Sequence, residues 1–147
     1  LHPERLRLAF VVYGAMSRLD WRTVSAASVD FELRDLESHL VPMLSREAPA
    51  GDRTAEWGTR LVEECREALG VVLPFSNGEM EFLNYILERG EIMPSLLTSD
   101  GTLAERIRQQ PMLAWKALNV RQHKGLPVEQ ERERALPADA DEEGLDI

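Results

Sequence analysis

The residues whose types and spacing most suggest binding chemistry stand in the segment PMLAWKALNVRQHKG, residues 111–125. At about 100° per residue around a helix, one side of this segment is polar and partly basic, and further cations lie near its end. The candidate contact residues are Lys116, Asn119, Arg121, His123 and Lys124. Such a face could contact RNA phosphate or an anionic partner, although the commoner interpretation is a solvated surface. Trp115 is interpreted first as a packing anchor and second as a platform for a stacked base.

The other reactive side chains do not form a catalytic or metal-binding set. Cys65, the single cysteine, lies on the apolar stripe of a predicted helix, where we expect a buried and inert thiol. The three histidines are far apart and lack the paired spacing of zinc ligands. Asp139 and Asp141 spell DxD, but they stand in an acidic tail and not on a strand. Because no glycine-rich phosphate loop is present either, the sequence gives no catalytic residue and no metal site.

Length and charge indicate a small folded body followed by an acidic tail. The 147 residues fit one core, and the formal net charge is −9. Residues 126–147 hold eight acids against two arginines, −6 in total, which leaves −3 for residues 1–125. Since the tail has too few large apolar side chains to offset the entropy of ordering, we predict that it is disordered. Apolar runs reach only about five residues, so no membrane contact is expected, and a single cysteine fits the cytoplasm.

The elements that must position the candidate residues are predicted to be helices. We expect a mainly α fold, an irregular bundle of about five to six helices. Between Asp52 and Gly70 the apolar residues repeat with helical spacing. Ser76 and Glu79 form a capping box that opens a helix at about residues 77–89. Gly90 suits the left-handed stop of that helix.

The segments around this well-marked pair are harder to assign. Residues 6–16 fit either a strand or a helix, and we favour a helix. The leucines from residue 33 to residue 44 have helical spacing that Pro42 should kink or end, and residues 24–31 could include a short extended piece. After a single turn at about residues 93–97, a short helix precedes the last helix, which Pro111 opens.

Two longer patterns carry a family resemblance. The ending PMLAWKALNVRQHKG, preceded by PF...E.EFL...L..GEI.PSLLT.D..LAERI, resembles the C-terminal region of AbiEii/AbiGii-type nucleotidyltransferase toxins. AFVVYGAMSRLDWRTVS, residues 9–25, resembles the segment that joins the catalytic domain to the helical region in the same family. The resemblance covers about residues 2–125, nearly the whole body.

The resemblance implies a function in type IV toxin–antitoxin and abortive phage infection systems. It implies that residues 1–25 lead from a missing nucleotidyltransferase domain into a helical C-terminal domain, residues 26–125, that helps to position nucleotide or RNA. Magnesium and a nucleoside triphosphate are the cofactors implied for the complete family protein, and tRNA and a cognate antitoxin are implied partners. None of the family's catalytic motifs matches this sequence, so the chain alone is expected to be inactive.

A function of a different class is also open. The chain could be a stand-alone helical protein-interaction module without catalytic activity, whose apolar helix faces bind a partner protein. If Leu6, Phe10, Tyr13 and Met16 face a missing domain, the isolated chain should expose an apolar patch.

Overall fold

The described chain is built from helices and short helical turns. The computed structural model describes residues 2–44 and 53–127, and no strand occurs among them. The α-helices are α1 Pro3–Met16, α2 Leu33–Asp35, α3 Arg53–Leu69, α4 Asn77–Asn84, α5 Gly101–Arg108 and α6 Pro111–Lys124. The π-helical turns Leu36–Leu40 and Tyr85–Arg89 continue α2 and α4, and 3₁₀ turns lie at Trp21–Thr23, Ala26–Ser28, Val41–Met43 and Pro94–Leu96. The prediction of a mainly α fold with five to six helices is confirmed. The disordered tail was predicted for residues 126–147, and from residue 128 onward it lies outside the described residues.

Four helices, α1, α4, α5 and α6, share one hydrophobic core. α6 lies against α1, α5 and the π-helical turn that continues α4. The buried members of this core are Val11, Val12, Ala15, Phe82, Leu83, Ile86, Ile107, Leu113 and Ala117. Burying a large apolar side chain stabilises a fold by about 1.5–3 kcal/mol. This core is therefore the largest source of stability among the described elements.

Arg7 connects α1 to the start of α4. Its guanidinium donates to both carboxylate oxygens of Glu79, at 3.1 and 2.6 Å, and to the carbonyl oxygens of Val71 and Pro74. The Glu79 carboxylate also accepts from the Ser76 backbone N–H, and the Ser76 hydroxyl accepts from the Glu79 backbone N–H. The predicted capping box is confirmed, and it has a further partner from α1.

Gly90 ends the extension of α4 and allows α6 to approach closely. Its φ of +63° lies in the left-handed region that favours glycine. A Cβ placed on Gly90 would lie 2.4 Å from the carbonyl oxygen of Ala117 and 2.6 Å from Cγ of Arg121. The predicted stop at this glycine is confirmed, and the same residue sets the distance between the α4 extension and α6.

The N-terminal helix belongs to this core. Residues 6–16 are helical, so the favoured interpretation is confirmed and the alternating strand is wrong. Phe10 packs edge-on against Trp21, with ring centroids 4.9 Å apart, and Met16 packs against the buried core. Tyr13, by contrast, is 66% exposed. The domain boundary predicted after residue 25 stays a prediction, although α1 shares its core with helices from beyond that point.

The chain between α1 and α3 is a series of short turns. The extended piece predicted at residues 24–31 contains the 3₁₀ turn Ala26–Ser28. The run of leucines from residue 33 is helical as predicted, and Pro42 lies in its last turn, Val41–Met43, after which the backbone is extended. This segment supplies the surface against which α3 packs.

Helix α3 is covered over only part of its apolar stripe. It forms where the apolar spacing predicts, but its buried residues are Thr54 and Gly58, close to its start. Cys65 is exposed, so the prediction of a buried thiol is wrong. Among the described residues, the elements that pack on α3 are short turns and helices between Ala26 and Leu40, and they leave the Cys65 side chain exposed.

Candidate functional site

A surface groove gathers four of the five candidate contact residues. It lies between α6 and the end of α1, has a volume of about 310 Å³, and is called here the Trp115 groove. Apolar side chains from α1, the α4 extension and α6 line one part of it, Met16, Leu87 and Val120. Its polar lining includes Arg18, Lys116, Asn119, His123 and Lys124. The structure therefore brings the polar face of α6 together with a cation from a distant part of the sequence.

The orientation of α6 explains why these side chains face outward. Leu113 is fully buried and Ala117 nearly so, which fixes the opposite side of the helix toward solvent. Trp115 lies on the open side and is 57% exposed. The packing-anchor interpretation of Trp115 is therefore wrong, because the core side of α6 is filled by smaller residues. An exposed indole beside polar groups leaves an aromatic face free for a ligand.

Lys116 connects α6 to the C-terminal end of α1. Its ammonium donates to the carbonyl oxygen of Ser17 at 2.9 Å, and Ser17 is the C-cap residue of α1. A cation at this position complements the negative end of a helix dipole. Lys116 is half-buried, and its hydrogen bond to Ser17 is a structural contact. The other N–H donors of its ammonium remain for the groove.

Arg121 lies outside the Trp115 groove. Its Nε donates to the carbonyl oxygen of Gly90 at 2.9 Å, on the side of α6 that faces the end of the α4 extension. The contact satisfies a carbonyl at a helix end, where the intrahelical partner is missing. Among the five candidate residues, Arg121 is the one that the structure separates from the others.

A network of four charged side chains borders the groove. Glu88 contacts Lys124 on one side and Arg22 on the other, at 2.9 Å from Nη1 of Arg22. Arg22 also pairs with Asp20, at 2.7 Å. The Lys124 ammonium, and next to it the Arg22 guanidinium, hold the pKa of Glu88 below its usual value. The hydrogen bond from Arg22 likewise lowers the pKa of Asp20. The charge of Lys124 is therefore partly neutralised at neutral pH.

The remaining polar groups of the groove are available to a ligand. Within the described part of the chain, the side chains of Arg18, Asn119 and His123 have no hydrogen-bond or ion-pair partner. Together with Trp115 they offer a cation, an amide that can donate and accept, an imidazole and an aromatic face. Sequence reasoning missed Arg18, because it stands 97 positions before Trp115 in the numbering. Its only sequence signal is its place directly after the predicted first helix.

The described residues hold neither a metal-binding group nor a membrane-spanning helix. No group of three His, Cys, Asp or Glu side chains that could hold a metal ion occurs among residues 2–44 and 53–127. In the same residues, no helix is both long and apolar enough to cross a bilayer. The groups that line the groove include guanidinium and ammonium groups, which can pair with an anion, and an indole, which can stack on an aromatic ring.

No protein-family model, curated protein or solved structure matches the chain. The resemblance to AbiEii/AbiGii-type toxins therefore stays a prediction.

Proposed function

We propose that this chain is an RNA-contacting helical domain of an AbiEii-like nucleotidyltransferase toxin and acts in the cytoplasm. In this proposal, the chain helps to position RNA for a catalytic domain that is encoded with it, and that domain holds the magnesium ion and the nucleoside triphosphate. The proposal combines the sequence resemblance with the Trp115 groove.

The observation that carries the proposal is the exposed indole of Trp115 beside groups with unused hydrogen-bonding capacity. Each base has a π face that can stack on an indole, and such stacking is worth about 1–3 kcal/mol per base. Arg18 can pair with a phosphate oxygen, and Asn119 can donate to and accept from a base edge. A single-stranded segment presents both its bases and its phosphates, so it fits this arrangement better than a duplex.

The charge of the chain does not oppose this assignment. The negative net charge resides mostly in residues 126–147, and solvent screens charges beyond about 8 Å at physiological salt. What a phosphate meets in the groove is the local set of Arg18, Lys116 and His123. Binding should therefore weaken as salt rises, with a slope that reflects few phosphate contacts.

The direct test measures the binding of a fluorescein-labelled single-stranded RNA of mixed sequence to the full 147-residue chain by fluorescence anisotropy. Trp115→Ala should weaken binding between about fivefold and about a hundredfold, because it removes one stacking platform. Arg18→Ala should weaken binding and lower the slope of log affinity against log salt by about 0.7, the value for one phosphate contact on a single strand. Trp115→Phe should recover part of the affinity.

Matched controls separate the groove from general effects of charge and aromatic content. Arg60→Ala removes one exposed arginine from α3, and Tyr13→Ala removes one exposed aromatic residue from α1. Both variants should bind RNA as the parent chain does. If the parent does not bind RNA, or if Arg18→Ala and Arg60→Ala have equal effects, the groove is not the contact site. Lys116 and Arg121 are poor test positions, because each holds α6 in place.

The family part of the proposal has its own test. The product of the complete gene is incubated with total tRNA, Mg²⁺ and each labelled nucleoside triphosphate, beside this chain alone. Label incorporated by the complete product but not by the chain supports an accessory domain of a nucleotidyltransferase. Absence of incorporation by both would remove the nucleotidyltransferase assignment and leave any RNA binding by the groove as a separate property.

The second candidate function is a protein-interaction module. The observation in its favour is the uncovered part of the α3 stripe, where Cys65 is exposed. An apolar helix face that is left open can accept a partner helix. Protection of this face when the complete gene product is compared with the chain would favour this candidate.

A further inference from the structure

A second groove lies between α1 and α5, on a part of the surface that the Trp115 groove does not include. Its volume is about 460 Å³, and it is called here the α1–α5 groove. Apolar side chains of both helices form its floor, Leu8, Ala9, Val12, Leu103 and Ile107. Val12 and Ile107 also belong to the buried core, so the floor is held in place by the packing beneath it.

Two arginines lie on opposite sides of this groove. Arg5 extends from α1 and Arg106 from α5, and both are exposed. Neither makes an ion pair or a side-chain hydrogen bond with the residues that the structure describes. Asp100, the acid on the rim, already accepts hydrogen bonds from the backbone N–H groups of Thr102 and Leu103, because it caps α5. The guanidinium groups of Arg5 and Arg106 are therefore the charged groups of the groove that have neither an ion pair nor a side-chain hydrogen bond among the described residues.

The chemistry of the groove selects a particular class of occupant. An apolar floor stabilises Leu or Ile side chains, and guanidinium groups on the two sides pair with carboxylates. A peptide segment that alternates carboxylates with a few aliphatic residues satisfies both requirements. A purely acidic or a purely apolar segment satisfies only one.

We propose that residues 136–147 of this same chain occupy the α1–α5 groove. This segment, LPADADEEGLDI, contains five acids and three large aliphatic residues, Leu136, Leu145 and Ile147. It lies outside the described part of the chain. Its charge is opposite to that of Arg5 and Arg106, and its aliphatic residues suit the floor.

The chain between the end of α6 and residues 136–147 is long enough for that segment to reach the groove. The described chain ends at Pro127, close to the C-terminal end of α6, and the groove is lined by Gln110, next to the first residue of α6. The length of α6 is about 21 Å at 1.5 Å per residue. Residues 128–135, fully extended, span up to about 28 Å. The acidic segment can therefore return along α6 and reach the groove.

Attachment to the same chain makes a weak contact effective. A segment of this composition does not fold by itself, and ordering it on a surface costs free energy. A short link to the same chain holds a segment at an effective concentration of about a millimolar, so an intrinsically weak interaction can still keep the groove filled.

The experiment measures competition between the attached segment and the same segment added separately. A fluorescein-labelled peptide with the sequence of residues 136–147 is titrated with two full-length chains, and anisotropy reports binding. One chain is the parent, and the other carries Asp139→Asn, Asp141→Asn, Glu142→Gln and Glu143→Gln. The neutralised chain should bind the peptide at least about tenfold more tightly, because its own segment no longer competes. Adding Arg5→Glu and Arg106→Glu to the neutralised chain should abolish this binding.

Two controls separate loss of the groove from a general charge effect and from misfolding of a variant. Arg53→Glu with Arg60→Glu makes the same charge change on α3 and should leave peptide binding unchanged. A peptide in which lysines replace the acids should bind the chain that carries Arg5→Glu and Arg106→Glu, which is possible only if that chain is folded. Equal binding to parent and neutralised chains means that the groove is open for another occupant, such as a segment of a partner protein. Equal binding to the two chains would overturn the proposal. So would a peptide that binds neither chain, or one whose binding does not change when Arg5 and Arg106 are substituted.

Discussion

Helices α3 and α6 show how differently two amphipathic patterns can be used. α3 has the cleaner separation of apolar and charged residues in the sequence, yet Cys65 on its apolar stripe is exposed. α6 has a more mixed surface, yet Leu113 is fully buried and Ala117 nearly so. An apolar stripe indicates which side of a helix favours burial. How much of that side is buried depends on what the rest of the chain can place against it.

The neighbours of the two helices account for the difference. α6 is contacted by α1, α5 and the extension of α4, and its basic residues Lys116 and Arg121 donate to carbonyl oxygens of two other elements. α3 packs on the turns and short helices between α1 and α3. Its long-range side-chain hydrogen bonds come from Arg66, which donates to the carbonyl oxygen of Val29. The comparison predicts that equivalent changes are tolerated far better on α3 than around α6.

The largest expected difference comes from adding one methyl group at each of two close contacts. Gly90→Ala should lower the free energy of unfolding by about 2–4 kcal/mol, because φ is positive there and the new methyl group would meet a backbone oxygen of α6. Gly58→Ala should cost less than about 1 kcal/mol. Its methyl group would meet the ring of Phe31 and Cδ2 of the buried Leu36. Both are side-chain atoms that can shift, unlike a backbone oxygen, and alanine favours the helix.

Urea denaturation followed by circular dichroism measures both values. Gly101→Ala is the control, because a Cβ at Gly101 meets nothing within 4 Å. Equal losses at Gly90 and Gly58 would contradict the comparison, since they would mean that α3 is packed as rigidly as α6.

Much of the fold could be predicted from local signals. The capping box at Ser76, the left-handed stop at Gly90 and the opening of α6 by Pro111 depend on nearby residues, and all three are present. The burial of Cys65 could not be predicted in this way. It depends on what other parts of the chain place against α3, and periodicity carries no information about those contacts.

The candidate site was predicted in part for the same reason. Lys116, Asn119 and His123 share a side of one helix, so their grouping follows from spacing alone. Arg121 faces a different element, and Arg18 arrives from the end of α1. The position of Arg121 is set by how α6 packs on the α4 extension, and that of Arg18 by how α6 packs on α1. The exposure of Trp115 also follows from tertiary packing, since an indole suits a core and a surface equally well by composition.

An intermediate effect is expected from the charged contact that connects α1 and α4. Burial alone would raise the pKa of Glu79, but the Arg7 guanidinium and the Ser76 backbone N–H outweigh it and hold the pKa below its usual value of 4.5. A lowered pKa in the folded state gives stability that is present above pH 4.5 and is lost as the pH falls through the folded value. Glu79→Gln should cost about 1–2 kcal/mol at pH 7 and progressively less as the solution becomes more acidic.

Arg66→Gln provides the matched change on α3. Its acceptor is the uncharged carbonyl of Val29 and its side chain is exposed, so the cost should stay below about 1 kcal/mol. The difference between parent and Arg66→Gln should also be the same at pH 7 and pH 4. Urea midpoints at several pH values test both statements. A cost of Glu79→Gln that did not change with pH would show that the carboxylate charge contributes nothing to the contact.

The smallest effect on stability is expected at Cys65, whose exposure distinguishes α3 from α6. Cys65→Ser should change the free energy of unfolding by less than about 0.5 kcal/mol, because the side chain is exposed. A thiol reagent should react with native Cys65 nearly as fast as with the unfolded chain. In the Cys65→Ser background, Thr54→Cys places the thiol at a buried position of the same helix, where reaction should require opening. If native Cys65 reacts as slowly as that buried thiol, another surface covers the apolar stripe of α3. A reaction rate that rises when the protein is diluted would identify that surface as a second copy of the chain. Helix α3 would then be buried as α6 is, with its packing partner supplied by another chain.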